Sequence, residues 1–157
     1  MISLLVKLVI IVLLVLAIAG FLRTWQVRRG ENQKAFLAGS APNPAPNEFY
    51  NGKVQNRSTS WLGKMFDSAA NSGINLFYNG DGTDVEKYPF KTYAGKGALD
   101  KQTDVLKIDY NLPENSWYVR LILDEIVQVA PNEYLGKILV KIIPGHPFAL
   151  GYFTLKK

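Results

Sequence analysis

The 157-residue chain has no cysteine and a single histidine. The first absence excludes a disulfide scaffold, thiolate zinc sites, iron–sulfur clusters and cysteine nucleophiles. It leaves the compartment open, because a cysteine-free chain suits either side of a membrane. The second excludes any site that needs two imidazoles, and His146 in Pro-Gly-His-Pro reads as a turn residue. None of the serines lies in a nucleophile-elbow sequence. Gly95-Lys-Gly97 lacks the frame of a phosphate loop and the helix that must follow it. Asp81, Asp84 and Glu86 lack the spacing of a calcium loop and read as a solvated acidic turn. No metal ligand set and no cofactor is therefore expected.

An excess of charge is present, but not where a polyanion binder needs it. The formal charge is +5. Lys7 lies in an apolar segment, and residues 23–34 hold four basic residues against Glu31. From Ala35 onward there are thirteen basic and twelve acidic residues. A nearly neutral domain makes a poor nucleic-acid surface, whereas a basic cluster beside an apolar span suits anionic lipid headgroups.

Residues 1–22 are apolar except for Ser3, Lys7 and Gly20. Ile2–Leu22 as a helix covers about 30 Å, one hydrocarbon core. Lys7 near one end can snorkel to the headgroups. The rival reading is a signal peptide, with Leu8–Leu16 as its apolar region and Ala17-Ile18-Ala19 as a cleavage site. Apolar residues continuing to Leu22, and the cluster of Arg23, Arg28, Arg29 and Lys34, weigh toward a retained single-pass anchor. Arg23, Trp25, Arg28 and Arg29 are then the membrane-interface residues. The same charges mildly favour a cytoplasmic C-terminal domain, with a periplasmic or secreted one as the alternative.

Residues 23–47 read as a basic juxtamembrane segment that continues the helix, then a spacer. In that spacer Pro42, Pro44 and Pro46 forbid helix. Residues 48–157 form the compact domain. Strand signals cover Phe49–Gln55, Ile74–Tyr78, Lys87–Ala94, Val105–Tyr110, Trp117–Val129, Tyr134–Ile143 and Phe148–Leu155, with turn chemistry between them. Ser58–Ala70 reads as a helix, because Trp61, Leu62, Met65, Phe66 and Ala69 fall on helical spacing. The expected class is mainly β: a transmembrane helix followed by a small antiparallel barrel, or a curled sheet, with one helix.

Trp117–Val129 carries the sharpest anomaly. Trp117, Val119, Leu121, Leu123, Glu125, Val127 and Val129 share one parity, so Glu125 interrupts an apolar face. A desolvated carboxylate must be paired, hydrogen-bonded or protonated. A hairpin turn near Pro131-Asn132 sets Glu125 opposite Lys137, which favours a structural ion pair over a general acid or base. The other parity, with Arg120 and Asp124, reads as a half-wet charge ladder partnered by Lys107 and Asp109. Three tryptophans, eight tyrosines and eight phenylalanines supply a β-sheet core or the lining of a cavity. Glu125, Tyr110, Trp117 and Tyr134 are the candidate ligand-binding residues.

The segments Trp61-Leu-Gly-Lys-Met-Phe66, Tyr88-Pro-Phe-Lys-Thr-Tyr-Ala-Gly-Lys-Gly97, Lys107-Ile-Asp-Tyr110, Asp124-Glu-Ile126, Tyr134-Leu-Gly-Lys137 and Gly151-Tyr-Phe153 carry a resemblance. Together they resemble an uncharacterised family of small membrane-anchored bacterial proteins. At a greater distance the chain is similar to GXWXG-type domains, which are small lipocalin-like β proteins. It departs from that pattern before Trp61, where Ser-Thr-Ser stands without the glycine two residues earlier. The lipocalin-like resemblance implies a cavity for an apolar ligand. The expected function is a membrane-tethered, non-enzymatic binding module for an apolar or lipid-like small molecule, with membrane lipid as a partner and no nucleic acid. Two alternatives remain: an enzyme on a small or lipid-associated substrate with Glu125 as general acid/base, and a structural partner in an envelope complex using an exposed strand edge.

Overall fold

The structure, a computed structural model, describes residues 3–157. The expected span begins at Ile2, outside the described residues. Helix α1 (Leu4–Val27) is followed by α2 (Glu31–Ala38). Eight strands follow: β1 (Glu48–Val54), β2 (Trp61–Asp67), β3 (Ser72–Tyr78), β4 (Asp84–Lys96), β5 (Asp104–Asp109), β6 (Ile122–Ala130), β7 (Glu133–Ile143) and β8 (His146–Lys156). They pair antiparallel in chain order, and β1 also pairs with β8, which closes a barrel. The class is therefore mainly β, with a closed antiparallel barrel as the outcome of the two forms expected. Closure removes the free strand edge that an edge-docking partner would use.

Helix α1 is capped by Ser3, whose side chain accepts from Val6 N–H. Its apolar residues leave no polar face, and at 1.5 Å per residue it is about 36 Å long, enough to cross a bilayer. Only Ala17, Gly20, Thr24 and Val27 are shielded, a stripe at spacings of three and four. This stripe docks on β8. A side chain at Gly20 would meet the Phe148 ring at 2.8 Å, so the glycine permits the close approach. Thr24 Oγ1 accepts from Ala149 N–H at 2.9 Å, and Arg23 Nε donates to Leu150 O at 2.8 Å.

Residues 23–38 do not form one continuous helix. The chain breaks after Val27, and α2 starts again beyond Gly30, which has extended backbone. Helix α2 turns back and buries Gln33 and Phe36 against the outside of the barrel. The spacer that follows is pinned as well. Ser40 and Gln128 exchange backbone hydrogen bonds at 2.7 and 3.2 Å. Residues 23–47 thus form an outer layer on β6–β8 rather than a free tether.

One helix reading and one strand reading differ from the structure. Ser58–Ala70 contains no helix, and β2 occupies Trp61–Asp67. The alternation was hidden by a bulge between Trp61 and Gly63, which turns Trp61 inward in place of Leu62. Gly63 sits at φ +147, and a side chain there would meet Tyr50 O at 2.0 Å. The second correction is Trp117–Val129. Strand β6 starts only at Ile122, after a turn of 3-10 helix at Val119–Leu121. Parity counted from Trp117 therefore does not carry into β6. Both faces of β6 are buried: Asp124 and Ile126 point into the barrel, while Leu123, Glu125 and Val127 lie under α2 and the 97–103 loop.

Candidate functional site

The barrel interior is divided along its axis. One end is filled by an aromatic plug in which Tyr50, Phe66, Phe90 and Tyr134 meet edge to face, with centroids 5.2–6.0 Å apart. Such contacts add about 0.5–1.5 kcal/mol each beyond area burial. The other end is hollow. A cavity of about 360 Å³ is lined by Val54, Trp61, Phe77, Tyr118, Val119, Ile122, Ile138 and Phe153 among others. It opens toward the β1–β2, β3–β4 and β5–β6 connections, where these lining residues reach their strand ends.

A polar cluster forms the floor between plug and cavity. Lys64 on β2, Asn75 on β3, Tyr110 after β5 and Asp124 on β6 are all buried. Lys64 Nζ lies 3.1 Å from Asp124 Oδ2 and donates to Asn75 Oδ1 at 2.9 Å and to the Tyr110 hydroxyl. Tyr110 donates to Asp124 Oδ2 at 3.1 Å. Trp61 Nε1 donates to Asn75 Oδ1 at 3.0 Å. The Asn75 amide donates to Tyr88 O at 3.0 Å. Tyr88 itself sits at φ +58, a conformation costing a non-glycine residue about 1–3 kcal/mol. The rings of Trp61, Phe90, Tyr110 and Phe153 surround the ammonium, each centroid 5.0–5.3 Å away.

The electrostatics follow from this arrangement. Burial holds the Lys64 pKa below the ordinary lysine value, while Asp124 pulls it back up. Burial and the Asp124 charge raise Tyr110 well above an ordinary phenol. All three ammonium protons of Lys64 have protein acceptors, and the pair is neutral overall. The floor therefore offers an entering molecule no free donor and no net charge, and the walls above it are apolar.

Of the four ligand-site residues expected from sequence, only Tyr110 reaches the cavity. Tyr134 is buried in the plug, on the far side of the floor. Trp117 stands outside, 75% exposed, stacked edge-on against Tyr118. Glu125 lies on the outer wall with no exposed surface. It does stand opposite Lys137 in the strand register. Its ion-pair partner, however, is Lys107 on the other neighbouring strand at 3.3 Å, and it accepts from Ala98 N–H at 2.7 Å. Glu125 therefore lies outside the barrel cavity, held under the 97–103 loop. The charge ladder is corrected too. Asp124 pairs with Lys64, Asp109 pairs with Lys141 at 2.9 Å, and Arg120 donates to Asn111 at 3.0 Å. Sequence reasoning missed Lys64, Asn75 and Asp124. The available signal was a lysine between Gly63 and Phe66 in an otherwise apolar segment.

A second buried cluster lies outside the barrel. Lys137 on β7 pairs with Asp100 and donates to Gln33 Oε1 at 2.8 Å. Gln33 Nε2 donates to Asp100 Oδ1 at 2.9 Å, and the Tyr152 hydroxyl donates to Gln33 Oε1 at 2.5 Å. Arg28 reaches Asp100 at 3.4 Å. Burial depresses Lys137 against the pull of Asp100 and raises Tyr152. This group clamps α2 and the 97–103 loop to the barrel wall. The interface residues expected from sequence are drawn into the same layer. Arg23 and Arg28 bond the barrel side, while Arg29 lies 3.6 Å over the exposed Trp25 ring.

Fold and site together define a class: an up-and-down eight-stranded antiparallel barrel, hollow at one end, with a long apolar helix docked on its outer wall. No protein-family model, curated protein or solved structure matches the chain.

Proposed function

We propose that the protein is a membrane-tethered, non-enzymatic binding module whose barrel holds an apolar, lipid-like ligand. The observation that carries this reading is the cavity of about 360 Å³, apolar in its walls and closed below by a self-satisfied polar floor. Its volume falls in the range of small-molecule sites, and eight strands enclose about one small ligand. The tether rests on α1. Its shielded stripe begins at Ala17 and continues through Gly20, Thr24 and Val27, so the helix runs unbroken across the Ala17-Ile18-Ala19 sequence into its docking contact. That continuity favours a retained anchor over a cleaved leader.

The test uses the full chain in lipid nanodiscs. A fluorescent fatty acid binds and quenches Trp61, which lines the cavity, in a Trp25→Phe/Trp117→Phe background. Ile138→Phe, which fills the cavity, weakens binding at least tenfold. Equal binding by the filled variant, or none by the parent, overturns the reading. Resistance to carbonate extraction checks the tether separately.

A further inference from the structure

We infer that the open end of the barrel is seated in the bilayer surface, so that the cavity takes its ligand directly from the lipid phase. This rests on the membrane-tether reading above and adds an orientation and a ligand source.

The depth of α1 in the bilayer sets the depth of the barrel docked on it. Leu8–Leu22 is free of charge, and Arg23 is the first charged residue after it. A spanning helix needs about 20 apolar residues, so α1 has no spare length to lift Gly20–Leu22 out of the hydrocarbon. Arg23 Nε is bonded to Leu150 O, which fixes Leu150 at the depth of the first charge. Strand β8 runs in the same direction as α1, because Phe148 meets Gly20 and Phe21 while Ala149 meets Thr24. The start of β8 and the Pro144–Gly145 turn therefore lie further toward the apolar part of the helix. The docked geometry sets that end of the barrel at headgroup depth or deeper.

Antiparallel up-and-down order places the β1–β2, β3–β4, β5–β6 and β7–β8 connections at one and the same end. This is the end at which the cavity opens. The exposed apolar residues agree. The four most exposed large apolar side chains of the barrel are Trp117 at 75%, Ile142 at 60%, Tyr118 at 56% and Tyr78 at 51%. All four lie in or beside those connections. Tryptophan and tyrosine are the side chains favoured at headgroup depth. Asp81 in the β3–β4 turn and Asp84 at the start of β4 sit across the barrel from β8, so the wall nearest α1 enters deepest. A depression beside the last turns of α1, lined by Arg23 and Arg57, shares Val54 and Ile138 with the cavity. It gives an anionic headgroup a place beside the opening while its chain enters.

The experiment reconstitutes the full chain with Trp117 as its only tryptophan (Trp25→Phe/Trp61→Phe) into phosphatidylcholine vesicles, with and without brominated acyl chains. A matched chain carries its only tryptophan at the opposite end, as Val129→Trp with all three natural tryptophans changed to Phe. Trp117 emission is expected to shift to the blue and to fall at least twofold with brominated lipid, while the tryptophan introduced at position 129 is unchanged. If Trp117 is as unquenched as the position-129 control while the protein resists carbonate extraction, the seating is overturned and the tether stands. If carbonate releases the protein, the tether fails and the seating with it. In a second arm, Trp117→Asp/Ile142→Asp slows transfer of a fluorescent fatty acid from vesicles about tenfold, yet leaves its binding from solution unchanged. Equal slowing of both overturns uptake from the bilayer.

Discussion

The molecule contains the same chemical unit twice. Lys64, Asp124, Asn75 and Tyr110 sit inside the barrel; Lys137, Asp100, Gln33 and Tyr152 sit outside it, under α2. Each unit is a buried lysine paired with an aspartate, bridged by an amide and a phenol, with aromatic rings around the ammonium. They differ in what they join. The inner unit joins four barrel strands or their ends and borders a cavity. The outer unit joins a helix, a loop and two strands, and its Tyr152 borders the surface depression beside α1 rather than the barrel cavity. Identical chemistry thus serves as a floor in one place and a clamp in the other, and only the neighbouring volume distinguishes them.

They differ also in redundancy. Asp100 keeps Arg28 and Gln33 if Lys137 is lost, whereas Lys64 has no second carboxylate if Asp124 is lost. Breaking the inner pair should therefore have the largest effect. Asp124→Ala is expected to destabilise by about 3–5 kcal/mol, read by urea unfolding, because it strands a buried charge. Asp124→Leu combined with Lys64→Met should recover most of that loss. A double variant as unstable as the single would show that packing, not charge, sets the cost. Lys137→Met should cost less, about 1–3 kcal/mol, and should raise protease cleavage in residues 39–47 as α2 loosens. If it costs more than Asp124→Ala, the ranking by redundancy is wrong.

Alkaline pH acts on both units. Tyr110 and Tyr152 are raised above their unfolded value of 10.0, as is Tyr134 in the plug. A raised phenol contributes stability that is present below pH 10 and lost as pH climbs toward its folded value. Lys64 and Lys137 are lowered, so they favour folding increasingly only up to their unfolded value of 10.5. Above pH 10.5 the buried lysines add nothing further and the raised tyrosines lower stability, so thermal stability should fall. Tyr110→Phe and Tyr152→Phe should each flatten that fall. An unchanged slope in both variants would contradict the assignment. The smallest effect belongs to Trp117→Ala, which should change stability by no more than about 0.5 kcal/mol in detergent, because the ring packs on little else.

Much of the barrel was readable because turn chemistry marks it off. Pro131-Asn132 and Pro144-Gly-His-Pro147 bound β7 and β8 to within a residue or two, and the register that sets Glu125 opposite Lys137 follows from the first of these. The reading failed where periodicity was broken by local geometry. The bulge at Gly63 and the inward lysine beside it made β2 look helical. The 3-10 turn at Val119–Leu121 cut Trp117–Leu121 off from the strand, so Val119 lines the barrel interior while Leu123, Glu125 and Val127, which do share one face, lie outside it. The site was less legible still. Only Tyr110 was found, because Asp124 and Glu125 are neighbours on one strand and the pattern gave no means to choose which of them faced inward.

The sequence by itself determined the long apolar helix, seven of the eight strands and the near-neutral charge of the barrel, since these depend on local composition and on period-two spacing. Tertiary structure decided which face of β6 is interior, because α2 folds back to cover the other face and makes both apolar. It decided as well that two distant lysines would each find an aspartate and that one pair would border empty space. Such choices depend on closure of the ladder between β1 and β8, a contact across the whole domain that no local window contains.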